Sequence, residues 1–222
     1  MILRSHKLVV SAPQEEKIEM LELTTDEQSF EGYAKPVEGC PFNMRTQRAS
    51  VWARSKSHRT GKNPKDSVQS IDVKNLKRML ATNGFGVPPE YVYESQGEMM
   101  VKNCVVENGA LKDAGLPWQE GRVFRFRRKV GDAVILNDTC TVVVEGDRVQ
   151  MFHLVRHSVR SVSGQQITIK MPSFSFDGWD VARESVSATL AYIVRNNVLV
   201  PVWAVQHENT IFLYNAQTGE AL

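Results

Sequence analysis

Basic side chains are the residues of this sequence whose types and spacing best suggest a function. In the stretch "RVFRFRRKV", Arg125, Arg127 and Lys129 alternate with two phenylalanines. Because successive side chains of a β-strand point to opposite faces, a strand here places the three cations on one face. The phenylalanines fall on the other face, where we expect them to join a hydrophobic core. If a neighbouring strand also presents cations on this face, several basic groups converge on one surface of the sheet.

A second group of basic residues follows on a nearby predicted strand and turn, and it comprises Arg156, Arg160 and Arg148. Like charges directly opposite one another destabilise a sheet, so converging basic faces need compensation. The sequence leaves two sources open, namely internal pairing and an anionic partner such as an acidic protein or a membrane surface. The candidates for internal pairing are Glu145, Glu184 and Asp180. If the partner is external, the expected contacts are Arg125, Arg127 and Arg156.

A third basic segment precedes the first predicted helix. Residues 45–66 hold seven Lys or Arg and a single Asp, with a strand expected around "SVWARS" and an exposed loop after it. Such a run is either a solvated loop or a patch that binds polyanions or lipid headgroups. Its candidate contacts are Arg54, Lys56 and Arg59. The patch within residues 45–65 is therefore an alternative site, for a polyanion or a membrane surface.

Nucleic acid is not expected as the partner, although the chain has basic clusters. The formal net charge is only +2, so the molecule as a whole attracts polyanions weakly. Single strands need aromatic rings on which to stack, and Phe124 and Phe126 point away from the cations of their strand. The expected partner is consequently a protein, with an anionic membrane surface as the second candidate.

Catalytic and metal-binding signatures are absent from the sequence. It contains no G-x-S-x-G, no glycine-rich phosphate loop and no H-E-x-x-H. His153 and His157 would share one face of a helix, but their apolar neighbours favour a strand, which separates them by about 13 Å. We expect no metal and no cofactor. A non-enzymatic role is favoured, and a small enzyme without a recognisable motif is the alternative.

The cysteines have an odd count and a wide spacing, and they are Cys40, Cys104 and Cys140. No Cys-x-x-Cys pair or other metal-ligand spacing occurs among them. The pattern favours three small buried apolar residues. One disulfide and one free thiol are the alternative if the compartment is oxidising.

The elements that would position these side chains are strands and two helices. With 222 residues, 42% of them hydrophobic, the chain is long enough for one large domain or two small ones. The clearest helix covers residues 71–83, between a cap at Asp72 and a glycine stop. A second helix is expected near Trp179, and strands are expected from Gly121 onward. A helix followed by strands thus occurs twice.

The closing stretch "LVPVWAVQHENTIFLYNAQTGEAL" predicts a hairpin followed by a turn. Pro201 cannot donate a hydrogen bond to a neighbouring strand, so it indicates an edge, a bulge or an amide site that points outward. Trp203 lies on the same face of its strand, and we expect it to pack against the helix around Trp179. Asn215 and Gly219 have the chemistry of a turn.

Two stretches of the C-terminal half share a pattern of strands and turns. In residues 124–154, a strand rich in Phe and Arg leads through a Gly-Asp turn and an apolar run to a second glycine turn. The residues that carry this pattern are Phe126, Gly131, Asp132, Val134, Gly146, Asp147 and Val149. In the closing stretch they are Pro201, Val202, Trp203, Asn215, Ala216 and Gly219. Together the stretches resemble PepSY-type and YycI/YycH-type extracytoplasmic domains.

The resemblance implies an α+β fold, in which antiparallel sheets each pack against one or two helices, and it allows two tandem PepSY-like units. The chain is accordingly divided into an unassigned α+β unit, residues 1–118, and a PepSY/YycI-like sheet unit, residues 119–222. The implied location is outside the cytoplasm, secreted or membrane-anchored, as in lipoproteins of Gram-positive bacteria. The implied function is a non-catalytic regulatory module that binds proteins at the cell envelope.

Overall fold

The computed structural model of the protein describes residues 15–24, 30, 32–35, 42–56, 71–102, 104–116, 118–146, 148–170, 187–207 and 210–222. Strands take up 69% of these residues and helix takes up 6%. In chain order, the elements are β1 (Glu15–Leu23), β2 (Phe42–Gln47), β3 (Ser50–Ser55), α1 (Val73–Thr82), β4 (Tyr91–Val101), β5 (Cys104–Glu107), β6 (Ala110–Asp113), β7 (Trp118–Val130), β8 (Ala133–Glu145), β9 (Arg148–Val155), β10 (Val159–Lys170), β11 (Ser187–Arg195), β12 (Val198–His207) and β13 (Thr210–Asn215).

The prediction of an α+β fold, with antiparallel sheets each packed against one or two helices, is wrong. Within the described ranges α1 is the one helix, and the structure is mostly β. Long runs of β-branched and alternating residues, such as β8, favour paired strands over helices. The sheets are also not wholly antiparallel, because β11 pairs with β8 in parallel. The second predicted helix, near Trp179, falls outside the described residues.

No helix in the described part of the chain is long and apolar enough to cross a membrane.

The chain divides into two compact units, and neither of them is a single stretch of sequence. Unit 1 consists of Met1–Asp26, Lys129–Asn137 and Ser158–Leu222. Unit 2 consists of Glu27–Arg128 and Asp138–His157. The boundary that we expected between residues 118 and 119 lies inside β7 and stays a prediction.

Unit 2 contains a sheet with the strand order β4-β7-β8-β9-β3-β2 and the helix α1. Every second residue along the centre of β3 and β9, such as Val51 and Phe152, is fully buried. These side chains form one hydrophobic core with Leu76 and Leu80 of α1. One face of the sheet is therefore covered by the helix, and the alternate residues of the same strands belong to the opposite face.

The helix predicted from the first half of the sequence is confirmed as α1. A carboxylate oxygen of Asp72 accepts a hydrogen bond of 2.7 Å from the backbone N–H of Asn75, which caps the start of the helix. Gly84 follows the helix with a φ of 77°, a conformation that glycine adopts at low cost. The next residue, Phe85, stacks on Phe152 with ring centroids 4.9 Å apart. The helix stop thus directs an aromatic ring into the core.

Unit 1 contains the antiparallel pair of β1 and β10 and the strand order β13-β12-β11-β8. One apolar cluster includes Leu21 of β1, and another joins Ile169 of β10 to Trp203 of β12. Trp203 is buried, and its Nε1 donates a hydrogen bond of 2.8 Å to the carbonyl oxygen of Lys170. Trp203 is therefore a packing residue of unit 1. The contact that we expected between it and the helix around Trp179 lies outside the described residues.

The closing stretch forms β12 and β13, and Pro201 lies within β12. A two-residue turn joins β11 to β12, and both of its residues, Asn196 and Asn197, have a positive φ. In such a hairpin the pair of Tyr192 and Pro201 is not hydrogen-bonded, so the missing N–H of Pro201 removes no bond between β11 and β12. On its other side Pro201 lies opposite Ala216, whose carbonyl oxygen accepts a hydrogen bond from the backbone N–H of Lys170, so the proline is tolerated inside the sheet.

A short hairpin, β5 with β6, also belongs to unit 2. Its turn is formed by Asn108 and Gly109, whose φ values of 53° and 76° are those of a type I′ turn. All side chains of the two strands are exposed, including the apolar pair Val106 and Leu111. The hairpin thus contributes nothing to the described hydrophobic cores.

Candidate functional site

The face of the unit 2 sheet opposite α1 carries polar and basic side chains in register. One row crosses four strands and consists of Thr141, His153, Trp52 and Arg45. The next row, on β9, β3 and β2, consists of Met151, Arg54 and Asn43. These residues alternate with the buried residues of the core, so their side chains lie on the face away from α1. We call the surface formed by these six residues the basic face: His153, Trp52, Arg45, Met151, Arg54 and Asn43.

Trp52 lies at the centre of the basic face, between His153 of β9 and Arg45 of β2. Its side chain is half-buried and belongs to none of the apolar clusters formed by the described residues. Arg45 and Arg54 are exposed beside it. An aromatic ring bordered by guanidinium groups is typical of a recognition surface, since Trp and Arg contribute most strongly to binding energies.

The segment that forms β2 and β3 carries positive charge without local neutralisation. Residues 42–56 contain no Asp or Glu and four basic residues, which are Arg45, Arg48, Arg54 and Lys56. All four are exposed, and none of them forms an ion pair or side-chain hydrogen bond within the described ranges. Arg54 and Lys56 were predicted as contacts, whereas Arg59, predicted with them, lies outside the described residues. The segment is therefore suited to an anionic partner.

Two of the other predicted contacts, Arg127 and Arg156, are engaged by carboxylates of unit 2. Arg127 binds Glu94 through Nε and Nη2, each 2.9 Å from a carboxylate oxygen. Nε of Arg156 donates to Glu90 at 2.9 Å, and its guanidinium carbon lies 5.8 Å from the ring centroid of Tyr33. These contacts leave less of either guanidinium group available to a partner.

Arg125 differs from these two arginines. It is exposed, and its side chain makes no ion pair or hydrogen bond with the described residues.

The acidic residues that we expected to compensate the basic cluster do not pair with its arginines in the described structure. Glu145 accepts a hydrogen bond of 2.7 Å from Gln150, and Glu184 and Asp180 lie outside the described residues. Internal compensation is present, but it comes from other carboxylates: Glu94 pairs with Arg127, Glu90 with Arg156, and Glu22 of β1 with Arg160.

A buried charged cluster links β7, β8 and the residues after β9 within unit 2. Asp138 is fully buried, and its carboxylate accepts hydrogen bonds from Nη1 of Arg128 at 3.0 Å and from the backbone N–H of His157 at 3.2 Å. Nδ1 of His157 contacts the same carboxylate. Arg128 also donates to the carbonyl oxygen of His157. The cluster thus satisfies a buried carboxylate and fixes the chain where β9 ends.

The cluster has the composition of a catalytic Asp–His pair, but no hydroxyl or thiol of the described residues is hydrogen-bonded to the imidazole of His157. In hydrolases of that kind, the imidazole activates a nucleophile within hydrogen-bond reach. Here Tyr91 donates its hydroxyl proton to the carbonyl oxygen of Val155 at 2.7 Å, and burial raises its pKa. Burial also raises the pKa of the Cys140 thiol, which disfavours the reactive thiolate. The contacts of Asp138 with the described residues all hold Arg128 and the chain after β9 in place, which is a structural role.

The two histidines that we considered as metal ligands lie in different surroundings. His153 belongs to the basic face, whereas His157 lies beyond the end of β9. Among the residues that the structure describes, no group of three His, Cys, Asp or Glu side chains is arranged to hold a metal ion. The prediction of buried cysteines is wrong for Cys104, which is an exposed free thiol, and is confirmed for Cys140, whereas Cys40 lies outside the described residues.

His153 is expected to make the protein less stable in acid. Burial lowers the pKa of His153 below its ordinary value, so the unfolded chain binds a proton more readily than the folded chain. The resulting stabilisation is fully present above the pKa of the unfolded state, about 6.5, and is lost as the pH falls below it. Replacing His153 by glutamine should flatten the fall in the midpoint of urea unfolding below that pH. A variant with the wild-type pH profile would contradict this assignment.

Neither the buried cluster nor the row across the basic face is predicted by the sequence. Asp138 lies within the apolar run "AVILNDTCTVVV". A carboxylate in such a run usually has a buried partner, so this position could have indicated the buried cluster. The neighbourhood of Trp52 and His153 depends on the pairing of β3 with β9. No local pattern in the sequence specifies that pairing.

Comparisons with protein-family models, with characterised proteins and with solved structures find no significant match to this chain. The resemblance to PepSY-type and YycI/YycH-type domains rests on sequence pattern and stays a prediction. A function is therefore inferred from the geometry and charge of the basic face, rather than from a relative.

Proposed function

We propose that this protein is a non-catalytic binding module that recognises an acidic protein partner through the basic face. The observation that carries the proposal is the charge of residues 42–56. Four exposed cations lie there without a carboxylate in the segment and without an ion pair among the described residues. An acidic partner would supply the missing negative charge.

Charge and aromatic area make separate contributions to this binding. Exposed cations on one surface attract an acidic partner over distances up to about 10 Å at moderate salt and speed its association. Trp52, at the centre, offers apolar area that a partner can cover, and covering it excludes water from the neighbouring charge pairs. The two guanidinium groups then form stronger pairs than they would in bulk water.

A protein is favoured over nucleic acid by the composition of the basic face. Proteins that bind single strands stack successive bases on several aromatic rings, and the basic face has only Trp52. The formal net charge of +2 also supplies little of the long-range attraction that polyphosphate binding uses. An acidic protein needs neither feature.

The compartment is part of the same proposal, and it rests on the sequence resemblance. We place the partner at the cell envelope, outside the cytoplasm, where the module would act in regulation. Fractionation of cells that produce the protein from its own gene tests this. Recovery with the membranes or in the medium is expected, and recovery with cytoplasmic marker enzymes would contradict the location without bearing on the basic face.

Charge reversal tests the basic face directly, with fluorescently labelled poly-L-glutamate as the probe. The wild-type protein is expected to bind it, and replacing Arg45 and Arg54 by glutamate is expected to weaken binding by about tenfold or more. Each reversal turns an attraction of about 1 kcal/mol into a repulsion, and 1.4 kcal/mol corresponds to tenfold in the dissociation constant, so about tenfold is a lower limit. Fluorescence polarisation at low and at moderate salt measures the change.

The matched control reverses two exposed cations of α1, Lys77 and Arg78, and so changes the net charge by the same amount. It is expected to bind like the wild type. Equal loss in both variants, or no binding by the wild type, would contradict the proposal. Tighter binding to oligothymidylate that is lost in Trp52→Ala would favour nucleic acid instead. Tighter binding to vesicles that contain phosphatidylserine would favour a membrane surface.

A further inference from the structure

The edges of the larger sheets differ in how they are protected. An edge strand presents unpaired N–H and C=O groups, and folded proteins usually cover or distort such an edge. In unit 1, β13 is an edge strand, and the residues after it fold back along it. The N–H of Asn215 donates to the carbonyl of Glu220 at 2.8 Å, and the N–H of Leu222 donates to that of Leu213 at 2.9 Å. The chain itself therefore covers this edge.

In unit 2, β4 forms one edge of the sheet and is irregular. Its pairing with β7 changes register between Tyr93 and Ser95 and again between Met99 and Met100. Such irregularities interrupt the ladder of an edge and twist it away from a regular geometry. Glu94, at the first irregularity, is already held in an ion pair. A further strand would find few regularly spaced groups along β4.

The opposite edge of unit 2, β2, shows neither form of protection among the residues that the structure describes. Its residues pair one to one with β3, from Phe42 opposite Ser55 to Gln47 opposite Ser50, without a register shift. The strand contains no proline, and all its side chains after the first are exposed. In the described part of the chain, β3 is its one neighbour. This regular edge, open with respect to the described residues, lies in the same segment as the cations that have no ion pair among them.

The hydrogen-bond pattern identifies the groups of β2 that point outward. The N–H of Arg156 donates to the carbonyl oxygen of Ala49 at 2.8 Å, so Ala49 and every second residue after it direct their polar groups towards β9. The residues between them, including Trp52, bond to β2. By the same alternation, Met44 and Thr46 of β2 direct their N–H and C=O groups away from β3.

We propose that an extended segment of the partner, with acidic and apolar side chains in alternation, adds to β2 as an antiparallel strand. This inference rests on the proposed function, because it takes the acidic protein partner as given and specifies how that partner binds. Backbone hydrogen bonds to Met44 and Thr46 supply affinity, and the alternating side chains supply specificity. Antiparallel addition continues the geometry of β2 and β3.

The alternation of side chains on β2 sets the pattern of the bound segment. A residue opposite Arg45 lies on the basic face, so a carboxylate at this position pairs with the guanidinium group. A residue opposite Met44 lies on the other face, where Met44 is 36% exposed and Phe42 is half-buried. An apolar side chain there removes exposed apolar surface from water.

A short labelled peptide of alternating glutamate and valine is the probe for strand addition. The wild-type protein is expected to bind it, as measured by fluorescence polarisation. Thr46→Pro removes an N–H that points outward and leaves the bonds between β2 and β3 in place, so binding should weaken about tenfold or more. The control Thr46→Val keeps that N–H and should bind like the wild type. Circular dichroism verifies that both variants are folded.

A second measurement changes the peptide and leaves the protein intact. In an antiparallel addition, the residues opposite Met44 and Thr46 form the hydrogen-bonded pairs, and these residues are the valines. N-methylation of the valines is therefore expected to abolish binding. N-methylation of the glutamates, whose N–H groups point away from β2, is expected to be tolerated.

The outcomes separate this inference from the proposed function. If the peptide methylated on valine binds like the unmodified one, strand addition is overturned, while loss of poly-L-glutamate binding on reversing Arg45 and Arg54 would still support the basic face. If methylated glutamates abolish binding and methylated valines do not, the antiparallel orientation is overturned. Equal binding of a lysine–valine peptide overturns the acidic pattern. If wild-type protein binds neither probe, the proposed function itself fails.

Discussion

Replacing Asp138 by alanine is expected to lower the free energy of unfolding by about 3–5 kcal/mol. The carboxylate is fully buried and accepts hydrogen bonds from Arg128 and from the backbone of His157. Its loss leaves the Arg128 side chain, which is 12% exposed, without its compensating charge. A buried cation without a partner is unfavourable because little water reaches it. Urea denaturation, followed by tryptophan fluorescence, measures the change.

Asp132→Ala is the matched control for this result. Asp132 is fully exposed, and its ion pair with Lys129 has a separation of 3.6 Å, so its removal should leave the denaturation midpoint unchanged. The structural role of the cluster would be refuted by an Asp138→Ala variant with the midpoint of the wild type. It would also be refuted if both substitutions lowered the midpoint equally.

Replacing Phe152 by alanine is expected to destabilise the protein by about 3–5 kcal/mol, whereas replacing the adjacent His153 by alanine should cost less than about 1 kcal/mol. Phe152 is fully buried and stacks on Phe85, so its truncation leaves a cavity in the core of unit 2. His153 is half-buried on the other face of the same strand. The same denaturation experiment compares the two variants.

The contrast between these neighbours tests whether the basic face lies at the surface. A shift of one residue in the register of β9 would exchange the faces of the strand and with them the two expected effects. If His153→Ala destabilised the protein as much as Phe152→Ala, Trp52 and Arg45 would share a buried face. The proposed function would then have no site.

Structural elements that depend on residues close together in the sequence were predictable. The arrangement of strands that are distant in the sequence was not. The start and stop of α1 follow from Asp72 and Gly84, and the closing hairpin of β12 and β13 follows from its alternating strands. The fold class depends on which strands become neighbours. The parallel pairing of β11 with β8 and the assembly of β9 with β3 join distant segments. A pattern of local periodicity does not contain that information.

The basic residues of the candidate site were predictable from the sequence, but their partners in the folded chain were not. Alternation along the chain placed Arg125 and Arg127 on a common face, and composition singled out the segment that contains Arg54 and Lys56. The acids that engage the arginines were not predictable, because Glu94 and Arg127 are 33 positions apart. Burial of charge and the openness of a sheet edge are likewise properties of the folded chain.

The discontinuous make-up of the two units has a consequence for the growing chain on the ribosome. Unit 2 is complete in sequence once His157 has been added, whereas unit 1 also needs residues 158–222. At about 5–20 residues per second, β1 emerges on the order of ten seconds before its partner β10. During that interval the strand that pairs with β1 in the described part of the structure has not been made. β1 contains four glutamates, Glu15, Glu16, Glu19 and Glu22, and charged residues of this kind oppose aggregation of an unpaired strand.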